Sequence, residues 1–404
     1  MKRILIIATL DTKGEVALYL TRAIRERGKD VMVLDCGMAG QPVGPADISR
    51  EEIARAARVS FRDVATMSRE DAEQIMARGV AETVRALYDR GGFDAALAVG
   101  GSDGTILACA GMRELPLGVP KLVVSAMACG GVRFGEYVGT KDITIMPLGV
   151  DIMGISGVSR RICENAAGAI CGMVDYEHTP EDADESQVAV TMFGQTTPCA
   201  MLGKELLESA GYQVVAFHPN GVGGALMEQL IREGAICAVW DLTTQESARY
   251  VVTGGPPEVA SRLCSQGPDV PRVVVPGCLD FIWGSPDRTD LFSHRRCYRF
   301  NSAVVLGKLT PDEMRAAGEL LAVRVNALPG EVAVLLPLRG ISKYDRQDGE
   351  LYDPDLDELL FSTLRGCIGE GVKVVEVDAH INDRAFAEEC ISVILTYASA
   401  RIPK

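Results

Sequence analysis

Apolar runs of strand length alternate with segments of helical periodicity along nearly the whole chain. Residues 4–8 are five apolar residues in a row. Over 15–27 the apolar positions Val16, Leu20, Ala23 and Ile24 fall at helical spacing, and Gly28 ends the pattern. Residues 31–34 predict a second strand, 68–90 a longer helix ending at Gly91 and Gly92, and 95–99 and 122–125 two more strands. Such strands are apolar throughout rather than alternating, as a parallel sheet covered on both faces requires. Their alternation with helices predicts an α/β fold.

Residues 176–187, YEHTPEDADESQ, interrupt this pattern with polar and acidic positions and Pro180, the character of a surface linker. They divide the chain into an N-terminal domain, 1–178, and a C-terminal domain, 188–404. The pattern then restarts with a strand at 188–193, a helix at 198–210 and a strand at 213–217. Strand, Thr12, helix, Gly28 and strand in the first half match strand, Thr196, helix, Gly211 and strand in the second. VPKLVVSAMACGG from Val119 matches VPRVVVPGCLDF from Val270 at a shorter offset, so the first half carries extra residues between its matched elements. An internal repeat follows, and with it two α/β domains of similar wiring and a cleft between them.

Charge narrows the function. The 404 residues hold 41 Lys and Arg against 55 Asp and Glu, a net charge of −14. A general nucleic-acid surface needs clustered basic residues, so nucleic acid is excluded as a bulk partner. Small anions are not, because backbone amides hold them without net charge. The twelve cysteines show no CxxC or Cys/His spacing for zinc and read as reduced thiols, mostly buried. The apolar start is cut short by Asp11, Lys13 and Glu15, so no signal-peptide core forms. No apolar run approaches the ~18 residues of a membrane helix. A soluble, cytoplasmic protein is expected.

Ligands of open α/β sheets gather at the carboxyl ends of strands. The loops there share one chemistry. The first holds Thr9, Asp11, Thr12 and Lys13, the second Gly100, Gly101, Ser102, Asp103, Gly104 and Thr105. Others run from Ser125 to Cys129, Gly130 and Gly131, and through Gly139, Thr140, Lys141 and Asp142. In the second half come Gly194 to Thr196 and Thr197, His218 to Gly221, Gly223 and Gly224, and Asp241, Thr243 and Thr244. Glycine lets backbone N–H groups approach an anion, and Thr and Ser add hydroxyl donors. The same residues also serve as plain turns and helix caps. Taken together, the loops favour a small phosphorylated ligand or nucleotide, with Lys13 and Lys141 neutralising phosphate and Asp11 and Asp142 contacting metal or ribose.

No GxxxxGK[ST] loop is present, and no GxGxxG follows a strand. Gly100-Gly101-Ser102-Asp103-Gly104 does fit GxSxG between a strand and a helix, the setting of a hydrolase nucleophile elbow. Asp345 or Asp353, and His380 after a strand at 372–377, would complete the order Ser, Asp, His. A serine hydrolase is therefore the rival reading, and a non-enzymatic ligand-binding or interaction protein a third. His178 falls in the linker. His380 to Asp383 reads equally as a strand end and helix cap, and Asp353 and Asp355 around Pro354 as a helix start.

Segments through the whole chain resemble the nucleotide-binding domain family named after the tomato mosaic virus resistance protein. IATLDTKGE, VGGSDGT, YVGTKDITIMPLGVDIMGIS, VTMFGQTTPC, FHPNGVGGALMEQLI, WDLTTQE, LYDPDLD and HIND carry the resemblance, in order. It implies two Rossmann-like, three-layer α/β/α domains with mostly parallel sheets, an ATP site at the strand ends (with or without Mg²⁺) and a homodimer. The ATP loops it implies are Thr9, Asp11, Thr12 and Lys13; Gly100, Gly101, Ser102, Gly104 and Thr105; Gly139, Thr140 and Asp142; and Thr196, Thr197, Gly221, Gly223 and Gly224. The sequence departs from the family at Asp103, where GGSGGT is usual. Phe300-Asn301 and Lys308-Leu309-Thr310 likewise stand where relatives carry HN and RTT. A carboxylate beside a phosphate repels it unless a cation intervenes, so Asp103 is where the ATP expectation is most exposed.

Overall fold

The computed structural model describes residues 1–127, 135–151, 154–176, 186–255, 262–263 and 268–399. The chain divides into two compact units, Met1–Pro180 and Glu181–Lys404. Most of the predicted linker, with His178, lies outside the described residues, as does the loop through Cys129 to Gly131.

The first unit runs β1 (Arg3–Ala8), α1 (Leu10–Arg25), β2 (Asp30–Asp35), α2 (Arg50–Ala56), α3 (Phe61–Val64), α4 (Arg69–Asp89), β3 (Ala95–Gly100), α5 (Ser102–Met112), β4 (Lys121–Ser125), α6 (Gly135–Val138), β5 (Thr144–Pro147) and α7 (Gly157–Asp175). Its sheet has the order β2-β1-β3-β4-β5, and every pairing is parallel. Successive residues of β1 feed opposite layers. Ile4, Ile6 and Ala8 pack with α1 and α7, and Leu5 and Ile7 with α2, α4 and α5. That double burial is why the strands are apolar throughout.

The second unit runs β6 (Gln187–Thr191), α8 (Thr197–Ser209), β7 (Gln213–Phe217), α9 (Val222–Arg232), β8 (Ala238–Thr243), α10 (Gln245–Thr253), β9 (Arg272–Gly277), β10 (Phe281–Gly284), α11 (Thr289–Phe292), β11 (Cys297–Arg299), β12 (Val305–Lys308), α12 (Pro311–Asn326), β13 (Val332–Pro337), α13 (Pro354–Cys367), β14 (Lys373–Val377) and α14 (Arg384–Ser399). The order β14-β13-β9-β8-β6-β7 is again all parallel. Counted within the unit, its strands follow the same 2-1-3-4-5 path as the first, extended by one. The wiring expected from the sequence repeat is present. The extra length of the first half sits in its β2-to-β3 crossover, which holds α2, α3 and α4 where the second unit has α9 alone.

One element was not anticipated. Between β9 and β13 the chain makes a small antiparallel sheet, β10-β12-β11, closed by Phe193, Phe281, Leu306 and Tyr344. Among the described residues, no helix is long and apolar enough to cross a membrane.

Candidate functional site

In a 2-1-3-4-5 sheet the crossovers leave β1 in opposite directions, and the loops after β1 and β3 part to leave a crevice at the carboxyl edge. The first unit has a cleft there of about 520 Å³. One side is built by Thr9, Asp11, Thr12 and Lys13 after β1 and by Gly101, Ser102, Asp103 and Gly104 after β3. The other is largely apolar, from Met38, Val64, Met67 and Ala72, and ends at Arg69. This volume lies within the range of small-molecule sites. A larger hollow of about 920 Å³ lies among Lys2, Asp94 and Pro120, which precede their strands. It is on the amino edge, away from the strand-to-helix loops, so we take the smaller cleft as the site.

Backbone geometry explains the glycines. A Cβ at Gly100 would stand 2.6–2.8 Å from the Gly104 and Thr105 backbone, so glycine is what lets α5 leave β3 so sharply. Around Gly101 there is open space. Neither Thr9 before α1 nor Gly101 before α5 caps its helix with a side chain. The first-turn amides of Asp11, Ser102, Asp103 and Gly104 have no hydrogen-bond acceptor among the described residues. The Thr9 and Thr12 hydroxyls are 2.8 Å apart. Asp11 accepts the Ala39 amide through Oδ2 at 3.0 Å, while its buried Oδ1 has no partner. Beneath it, Asp35 Oδ1 accepts the amides of Leu10 and Gly37. Burial pushes the Asp35 carboxyl above its usual range.

Asp103, the residue that endangered the phosphate reading, is paired. Arg69 donates Nη2 to its Oδ1 at 2.8 Å and Nε to its Oδ2 at 3.1 Å. Sequence reasoning missed Arg69. Its place at the start of a predicted helix was visible, but its reach to the β3 loop depends on tertiary packing.

Other predicted residues are not brought to this cleft. Thr105 is fully buried, with its hydroxyl 2.8 Å from that of Ser125, and ties α5 to β4. Gly139, Thr140, Lys141 and Asp142 lie before β5, at the amino edge. Asp142 pairs with buried Lys121 at 2.8 Å and accepts the Gly118 amide, and Gly139 faces Arg113, the residue after α5. An 11-residue helix separates that end from Ser102, roughly 16 Å at 1.5 Å per residue. The sequence placed this loop after a strand, whereas it follows the short helix α6.

In the second unit the corresponding loops after β6 and β8 are filled by the protein itself. Thr196 and Thr243 share a hydrogen bond of 2.8 Å, and both are fully buried. Thr197 donates to the Phe193 carbonyl. Asp241 accepts the Thr191 hydroxyl at 2.8 Å and pairs with Arg262. Arg262 also pairs with Glu228 and Glu246, and Arg272 pairs with Glu228. The glycine loop wraps this guanidinium. Gly221 donates its amide to Glu246 at 2.7 Å, and a Cβ at Gly224 would overlap Arg262 Cδ. A Cβ at Gly223 would overlap the His218 carbonyl, while the His218 ring tilts against Phe193 with centroids 4.6 Å apart. Glycines expected to cradle an anion thus accommodate an internal cation.

Each residue of the hydrolase reading has a partner within its own unit. Ser102 donates to Asp103 at 3.1 Å. His380 is committed inside the second unit: Nδ1 accepts the Asn382 amide and Nε2 lies 2.9 Å from the Ser342 carbonyl. Asp345 is buried against Lys308, and Asp353 caps α13 by accepting the Leu356 amide.

Two doubly wound parallel units, one with an open crevice at its topological switch point, define a two-domain Rossmann-like α/β protein. The chain belongs to the uncharacterised protein family UPF0261, matching its N-terminal domain over residues 2–179 and its C-terminal domain over 185–398. A UPF0261 protein of Clostridium tetani is 36% identical over 391 residues, covering 96% of each chain. The ToMV resistance protein Tm-1(GCR237) of Solanum lycopersicum is 32% identical over 420 residues, covering 97% of this chain and 55% of that protein. A solved UDP-N-acetylglucosamine 2-epimerase covers 99% of this chain and 97% of its own at 10% identity and a TM-score of 0.25, too weak a likeness to bear on function.

Proposed function

We propose that the chain binds a nucleotide of the ATP class in the first unit's switch-point cleft. The observation that carries this reading is the convergence, in one 520 Å³ cleft, of two uncapped helix starts with an apolar wall. Free first-turn amides and the Thr9 and Thr12 hydroxyls supply donors for phosphate. Lys13 and Arg69 supply positive charge, and Met38, Val64 and Met67 offer a surface for a base. Asp11, a carboxylate lining the cleft, is the residue suited to a ribose hydroxyl or a Mg²⁺ that accompanies the phosphates.

The second unit's equivalent loops are occupied by Arg262 and its carboxylates, so the reading is confined to the first unit's loops. Whether the bound nucleotide reacts is a separate matter. Titration of the full chain with ATP and ADP, with and without Mg²⁺, tests the reading. Binding should be saturable and weakened at least tenfold in Gly101→Val, whose added methyls meet open space and enter the cleft. Absence of binding at millimolar nucleotide would overturn it. The homodimer that the family resemblance implies is checked in the same samples by sedimentation.

A further inference from the structure

Within that cleft one pair of residues has chemistry that a plain phosphate site does not need. Asp103 is the second residue of α5, where a carboxylate is favoured by the helix dipole. It accepts from the Ser102 hydroxyl and from both Nε and Nη2 of Arg69. It therefore occupies part of the region that a ligand anion would take. Its side chain is 22% exposed, whereas that of Arg69 is 75% exposed. Arg69 is thus free to swing, while Asp103 is held by its helix. Glu73, one turn along α4 from Arg69, adds acidity behind the pair. Burial and the charge of Asp103 push its carboxyl above the usual range.

We propose that Arg69 and Asp103 form an exchangeable ion pair that selects a ligand carrying both a phosphate and hydroxyl groups, a phosphorylated sugar or nucleoside, over a bare polyphosphate. This inference rests on the nucleotide reading of the cleft. On binding, Arg69 turns from Asp103 to the ligand phosphate, to which a guanidinium donates two parallel hydrogen bonds. Asp103 is then left with a partly buried charge that has lost two donors. A ligand with sugar hydroxyls replaces them, because a carboxylate accepts from two neighbouring hydroxyls. A bare polyphosphate offers only more negative charge, and Asp103 repels it.

The test is calorimetric titration of the full chain with ADP and with inorganic pyrophosphate, in the parent, Asp103→Asn and Asp103→Gly. Asn keeps the size and the helix start, and guards against a folding defect from glycine. In the parent, ADP should bind more tightly than pyrophosphate. Both variants should bind pyrophosphate about tenfold more tightly than the parent, the scale of one unit-charge repulsion near a surface, and ADP no better. Arg69→Ala should weaken both ligands. If Asp103→Asn and Asp103→Gly shift the two ligands by the same factor, the selection proposed here is wrong while the nucleotide site stands. If neither ligand binds the parent or any variant, the nucleotide reading itself falls, and this inference with it.

Discussion

Replacing Lys308 by methionine removes a cation from a buried acidic cluster in the second unit. Lys308 Nζ lies 3.1 Å from Asp345 and 3.3 Å from Asp280, and all three side chains are buried. Asp280 also accepts the Ser342 hydroxyl, and Asp357 hydrogen-bonds Asp345. Burial, and then the charge of Asp345, push the Asp357 carboxyl far above the usual range. Burial also raises Asp280, against the lowering effect of Lys308. Removing one partner of a buried pair costs about 3–5 kcal/mol, and Lys308 serves two carboxylates, so the upper end is expected near pH 7.5. The pH dependence carries the sharper test. Without Lys308 a further carboxyl keeps its proton in the native state while the unfolded chain releases it. A native state that binds more protons loses stability as pH rises, by about 1.4 kcal/mol per pH unit for each proton. The deficit of Lys308→Met should therefore shrink by about 2–3 kcal/mol between pH 7.5 and 5.5. Urea unfolding followed by tryptophan fluorescence reads this unit selectively, because both tryptophans, Trp240 and Trp283, belong to it. Asp357→Asn, which replaces a carboxyl already protonated, should cost no more than about 1 kcal/mol. A deficit equal at both pH values, or a Lys308→Met protein as stable as the parent, would refute the reasoning.

Two further outcomes follow from local geometry. Glu313 caps α12 and pairs with Arg295, and although burial pushes its carboxyl up, Arg295 and the Thr310 amide outweigh this and hold it down to about 2. The stability it contributes is present above its ordinary pKa and lost as pH falls through the lowered one. Glu313→Gln should therefore unfold more easily than the parent at neutral pH, with the difference closing toward pH 2 in acid titration. Gly340 has φ of +121°, and a Cβ there would overlap the Asp345 carbonyl. Gly340→Ala should lower the urea midpoint of the second unit by more than the roughly 1 kcal/mol of an ordinary left-handed glycine.

Periodicity carried most of the fold. The uniformly apolar strands 4–8 and 95–99 are central strands, and the helix expected from Ser68 does begin there, with Ser68 as its cap. The insert β10 to β12 escaped because its strands are three or four residues long, too short for a periodic signal. At the site, composition marked several glycine and threonine loops alike but not which of them the protein's own side chains fill. The glycines of 221–224 and of 100–104 look alike in sequence. Only packing shows that Gly224 lies against Arg262 whereas Gly101 faces open space. Arg69, more than thirty residues before Asp103 in the chain, carried no local mark of its partner.

The account's central claim is a location, and hydrogen exchange of the full chain with and without saturating ATP measures it directly. Slowed exchange at the amides of residues 9–13 and 101–105, with no change at 194–197, 221–224 and 241–244, is the predicted result. Protection confined to the second unit's loops, or found in neither unit, would contradict it.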